Sequence, residues 1–156
     1  MRTSKNTLHR IAMIGVAALA LVVSACKPTE VNMQHDYPSW QAHDISDIES
    51  SMTITGKLPV SLQSTADTTD LVGAFFDDEC WGVTKVQMID GHPYFFLYIN
   101  RPRIAYYSDE ETSLTLRYYC ASTRYIYVLK DAVVFNVDGH IGTVKDPYIP
   151  MFSDKE

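Results

Sequence analysis

The sequence predicts an all-β domain, an antiparallel β-sandwich of seven to eight strands with immunoglobulin-like layering, after an N-terminal signal helix and a tether. Three observations carry that expectation. From residue 51 onward, short runs of β-branched, aromatic and aliphatic residues alternate with period two, as strand side chains do. Turn-forming Gly, Pro, Asn and Asp separate these runs at fairly even intervals. Beyond residue 50 no stretch holds a 3.6-residue apolar period, so βαβ architectures lack their helices. A small barrel would also hide its sheet edges; the sandwich is favoured.

Each element follows in order. Met52 and Ile54 open a strand, with Thr53 and Thr55 on its other face. Leu71 to Phe76 is a β-rich run closed by the acidic turn Asp77-Asp78-Glu79, and Cys80 to Met88 follows as its hairpin partner. Tyr94 to Ile99 lies between Gly91-His92-Pro93 and Asn100-Arg101-Pro102. In it Tyr94, Phe96 and Tyr98 share one face, opposite Phe95, Leu97 and Ile99. Leu114, Leu116, Tyr118 and Cys120 alternate with Thr115, Arg117 and Tyr119. Arg124 to Leu129 and Ala132 to Val137 are two more strands, Asp138-Gly139 is a turn, and Thr143 to Ile149 is a last edge strand interrupted by Pro147. Upstream, Ser39 to Ser50 reads either as a short helix N-capped by Ser39 or as an irregular lead-in packing Trp40 against the domain edge.

Composition bounds the class. The chain has 156 residues, 46% apolar and 12% aromatic, enough for one globular core and too polar for a polytopic membrane protein. Its formal charge of −6 argues against nucleic acid as a partner, because phosphate neutralisation needs a basic surface.

The first residues read as an address. Arg2, Lys5 and Arg10 make a basic start, and Ile11 to Val23 is an uncharged run of 13 residues. That falls short of the roughly 20 residues a bilayer-spanning helix needs, and it suits a signal-peptide core. The run ends in Val23-Ser24-Ala25-Cys26, which resembles the lipobox of bacterial lipoproteins. The resemblance implies cleavage before Cys26, a diacylglyceryl thioether on its sulfur and acylation of the new amino terminus. Several acyl chains at ~0.8 kcal/mol per buried CH₂ make a firm anchor. Cleavage leaves 131 residues with a formal charge of −9. The expected organisation is a signal peptide over 1–25, a lipidated cysteine and tether over 26–50, and a sandwich over 51–152, with 27–38 flexible. Lys27 followed by Glu30 resembles the surface-export signal of some Bacteroidota lipoproteins. The implied location is the outer membrane, on its periplasmic or its cell-surface face.

A second resemblance covers about residues 51–150. Ser51-Met52-Thr53-Ile54-Thr55, Val72 to Val83, Tyr94 to Ile99, Leu114 to Tyr119, and Asp138 to Thr143 with Pro147 follow one another in an order similar to a β-sandwich module of Bacteroidota exported proteins. Its pattern there is "sMTvTa", "GAFvgdECrG", "yFLtvyG", "tFrlYD" and "dGivGt". Trp81 stands where that module usually has a basic residue, and Cys120 near its usual aspartate. The resemblance implies a cell-envelope accessory domain with no established catalytic residue.

The remaining chemistry is sparse. Once Cys26 is acylated, Cys80 and Cys120 are the only thiols; an exported setting permits a disulfide, and two separate buried thiols are the plainer reading. His35, His43, His92 and His140 show no zinc spacing, and no nucleophile elbow is present, so neither an enzyme nor a cofactor is expected. Asp77, Asp78 and Glu79 supply oxygens suited to calcium, without EF-hand spacing, or simply a solvated hairpin tip. Tyr98, Arg117, Tyr119, Tyr125 and Tyr127, beside Arg124, are the candidate ligand-binding residues, an outward aromatic platform for sugar rings or a partner protein. Tyrosine is also a good cross-strand pairing residue, which is the plainer explanation. The loop 101–111, basic and aromatic before its acidic end, is either a second candidate surface or a longer connection crossing between sheets, closed by its own charge pairing. The expected function is a lipid-anchored, non-enzymatic binding or adhesion module for a glycan or envelope protein; the alternative is a structural accessory subunit.

Overall fold

The computed structural model describes residues 34–44, 46, 48–103 and 112–155. The expected signal peptide, Cys26, Lys27, Glu30 and most of the 101–111 loop lie outside the described residues. The described chain is mostly strand, in two largely antiparallel sheets consistent with an all-β sandwich. In chain order the elements are β1 (Ile48–Lys57), α1 (Val60–Gln63), β2 (Leu71–Phe76), β3 (Glu79–Lys85), β4 (Gln87–Ile89), β5 (His92–Pro102), β6 (Ser113–Cys120), β7 (Tyr125–Leu129), β8 (Val133–Val134), β9 (His140–Ile141) and β10 (Phe152–Lys155).

One sheet has the order β4-β5-β1-β9; the other runs β10-β7-β6-β2-β3, with β8 paired to β6. All pairs are antiparallel except β1 with β9. The core lies between the sheets. Met52 and Ile54 from β1 and Phe95, Leu97 and Ile99 from β5 meet Val72, Ala74, Trp81, Leu116 and Tyr118 from the other side. These are the positions that period two assigns to one face of each strand.

Ten strands are formed among the described residues, rather than seven or eight. The expected run Cys80 to Met88 divides at Val86, a buried residue whose N–H donates to the Asp70 carbonyl. On either side of it the chain changes sheets, β3 staying with β2 and β4 joining β5. Thr143 to Ile149 is not a strand. Gly142 takes a φ of +71°, Thr143 and Asp146 close a turn on each other, and only Tyr148 bridges back to Gly56. Two acidic turns stand where expected, with Asp77 and Asp138 in the left-handed region that Asp tolerates.

Upstream of β1 the helix expected from Ser39 does not form over residues 39–44. The alternative holds in altered form: Trp40 packs on the outer face of a sheet, edge-on against Phe75 at 5.2 Å between ring centres. Residues expected to be a flexible tether are docked from His35 onward. The His35 N–H donates to the Arg124 carbonyl, Tyr37 meets Tyr119 edge-on, and the Tyr37 hydroxyl donates to the Thr69 carbonyl. This strap covers a second apolar cluster of Leu71, Tyr119 and Ile126, so β2, β6 and β7 are buried on both faces.

Gly56 is demanded by packing. A Cβ on Gly56 would lie 2.1 Å from the ring of buried Phe95, its cross-strand neighbour, which lies across the glycine. Gly56→Ala is therefore expected to lower stability by about 1–3 kcal/mol, the usual cost of overpacking a tight core, as read from urea denaturation.

Candidate functional site

The outer face of the β1–β5 pair is the candidate site. Phe95, Leu97 and Ile99 are fully inside, so alternation turns Tyr94, Phe96 and Tyr98 outward along one strand. Across the ladder Tyr98 faces Thr53, Phe96 faces Thr55 and Tyr94 faces Lys57. Tyr98 is 53% exposed, and its hydroxyl donates to Ser51 Oγ at 3.1 Å. Thr53 Oγ1 and His140 Nδ1 are 2.5 Å apart, which ties β9 to the same surface. Lys57 Nζ sits 5.7 Å from the centre of the Tyr94 ring. Between the strands lies a shallow depression of about 260 Å³ lined by Thr53, Thr55, Phe96 and Tyr98. The surface is thus a row of rings bordered by hydroxyls.

Its backing is rigid. Gly82 of β3 approaches β5 so closely that a Cβ there would stand 2.3 Å from the Tyr98 carbonyl oxygen. A bulge at Trp81 lets β3 do this, because Ala74 pairs with Gly82 and Phe75 with Cys80. Trp81 turns into the core, stacks on Phe76, and donates its indole N–H to Glu79.

The platform expected from Tyr98, Arg117, Tyr119, Tyr125 and Tyr127 is not one surface. Tyr98 belongs to the four-stranded sheet and the other four to the opposite sheet. The register pairs Arg117 with Val128 and Tyr119 with Ile126 on the outer face, and Tyr118 with Tyr127 and Cys120 with Tyr125 on the core side. Tyr119 is 2% exposed beneath the strap, which is what removes it from solvent. Arg117 lies over the Phe75 ring and pairs with Asp78, while Arg124 pairs with Asp36. Tyr127 stacks on Tyr118, and Tyr125 is partly buried.

The two thiols are free and far apart. Both their strands pair with β2, Cys80 opposite Phe75 and Cys120 one residue beyond the Leu71–Tyr119 pair. Five strand residues separate those points, roughly 17 Å at ~3.3 Å per residue, against the ~7 Å limit for a disulfide. Burial pushes the Cys80 thiol above its ordinary value, with a Gly82 backbone hydrogen bond and the charge of Arg117 opposing. The acidic turn also disperses: Asp78 pairs with Arg117, and Glu79 with Trp81 and His43. Among the described residues no group of three or more His, Cys, Asp or Glu could hold a metal ion, and no helix is long and apolar enough to cross a membrane.

Sequence reasoning missed Asp70. It is fully buried, and its carboxylate accepts from the Tyr118 hydroxyl at 2.6 Å and from the N–H groups of Asp67 and Ala121 at 2.8 Å. A lone Asp between Thr69 and Leu71 carries no local mark of that role. Compared with known proteins, the chain matches no family model, no curated protein and no solved structure.

Two outcomes follow from these groups. A denatured, unreduced sample of residues 27–156 should titrate two thiols with Ellman's reagent, and a disulfide would leave none. Burial first, then the hydrogen bond and charge of Asp70, push the Tyr118 hydroxyl upward; burial does the same to Tyr127 and Tyr148. An unfolded tyrosine ionises near pH ~10, so their contribution to stability is intact below that pH and is lost as pH rises above it. Melts followed by circular dichroism should be flat from about pH 7 to 9 and fall beyond ~10, with a shallower fall in Tyr118→Phe.

Proposed function

We propose that this protein is a lipid-anchored cell-envelope binding module without catalytic activity, and that its ligand is a glycan lying across Tyr94, Phe96 and Tyr98. The observation that carries the proposal is that row of rings on the outer face of β5, bordered by Ser51, Thr53 and Thr55. Sugars present C–H faces that stack on aromatic rings and hydroxyls that exchange hydrogen bonds with side chains at the border. Alternate residues of a strand stand roughly 6.6 Å apart, so an extended polymer running along β5 meets successive rings. Only a few aromatic anchors are needed to dominate such a contact.

The anchor is the Cys26 thioether, supported by the basic start, the short apolar run and the lipobox. The motif order shared with the Bacteroidota sandwich module supports an outer-membrane setting and an immunoglobulin-like layering of the sheets. A structural accessory subunit is the second reading, favoured by Val137, Val144, Ile149 and Met151, all at least half exposed in one C-terminal stretch.

A glycan array and an envelope pull-down with residues 27–156 test the first reading. Tyr98→Ala and Phe96→Ala should each weaken glycan binding about tenfold, or ~1.4 kcal/mol, while the melting temperature moves little. Undiminished binding in both would remove the site from β5. Clickable palmitate should label the full chain and not Cys26→Ala.

A further inference from the structure

We infer that the cleft between α1, β7 and β10 is a second binding site, on the opposite sheet from the aromatic row, for a small amphipathic carboxylate. Its cavity volume is about 560 Å³, within the range of roughly 300–1,000 Å³ typical of small-molecule sites. Leu62 of α1, Tyr127 of β7, and Met151 and Phe152 at β10 supply an apolar lining, with Ser61 and Lys130 as its polar members.

The lining is held in place from beneath. Tyr118 stacks on Tyr127 with ring centres 5.8 Å apart and lies against Phe152 at 5.9 Å. The Tyr118 hydroxyl is in turn fixed on the buried Asp70 carboxylate. Backbone bonds close the sides: the Lys130 N–H donates to the Met151 carbonyl, and the Leu62 N–H to the Pro59 carbonyl. A hydrocarbon body entering here loses little to reorganisation of the walls.

Charge selects the head group. Among the described residues the lining holds one cation and no carboxylate, in a chain whose formal charge is −6. Arg101, Arg117 and Arg124 are each matched to a carboxylate, whereas Lys130 makes no ion pair among the described residues. An alkyl or aryl carboxylate places its apolar part on Leu62 and Phe152 and its anion at Lys130, satisfying both at once.

Octanoate is the probe, with octanol as the neutral analogue, followed by amide chemical shifts of the folded protein. Octanoate should perturb residues of α1, β7 and β10 at saturable concentrations and bind at least tenfold more tightly than octanol. Lys130→Glu should remove that preference without changing the melting temperature. Ser61→Lys, at an exposed position, should tighten octanoate at least threefold, a gain that misfolding cannot produce. Equal binding of octanoate and octanol overturns the inference, as does unchanged affinity in both variants or perturbation confined to Tyr94, Phe96 and Tyr98. Tyr98→Ala should leave octanoate binding intact, which separates this site from the glycan proposal.

Discussion

A strand can give only one of its faces to a core, and in β5 that choice determines what the other face presents. Every residue from Tyr94 to Ile99 is aromatic or aliphatic, so the strand has apolar material for both sides. Phe95, Leu97 and Ile99 fill the space between the sheets, and Gly56 and Gly82 are cut away to let that packing close. Tyr94, Phe96 and Tyr98 are then committed to the outside, where Ser51, Thr53 and Thr55 keep their surroundings wettable. The core and the candidate site are two sides of one constraint. A slip of one residue in the β1–β5 register would exchange them.

The opposite sheet meets the same constraint differently. Its strands β2, β6 and β7 also carry apolar side chains outward, and there the chain supplies its own cover. Trp40 lies on Phe75, Tyr37 on Tyr119, and the Arg124–Asp36 and His43–Glu79 pairs pin the margins. The exposed pairs contribute little by themselves, typically under ~1 kcal/mol, and the apolar contacts supply most of the hold. Two aromatic-rich sheets thus end with opposite outer surfaces, one lidded and one open.

What was legible in the sequence follows from how local each signal is. Strands β2, β6 and β7 are read almost to the residue, because alternation and flanking turns mark them, whereas β5 also takes in His92, Pro93 and Asn100 to Pro102, which read as its flanking turns. That Tyr94, Phe96 and Tyr98 share a face opposite Phe95, Leu97 and Ile99 was legible too, since it needs only parity, but parity does not say which face turns inward. Whether Tyr119 meets solvent was not legible. It turns outward as its alternation predicts, yet whether that outer face is wet depends on the distant residues 35–43. Asp70 and the division at Val86 were invisible for the same reason, as their partners come from β6 and from the return to the other sheet. The expected strand Ala132 to Val137 shortens to the two-residue β8, and β9, also two residues, is too short for periodicity to register.

The strap also moves the start of the folding unit. A cut at residue 51 would respect the motif boundary but would leave Leu71, Phe75, Tyr119 and Ile126 facing water on a broad β-surface. Such a fragment resembles a half-finished interface, prone to self-association and to poor yield when expressed. Where a shortened protein is to be made, its first residue belongs ahead of His35, not at the first recognisable strand.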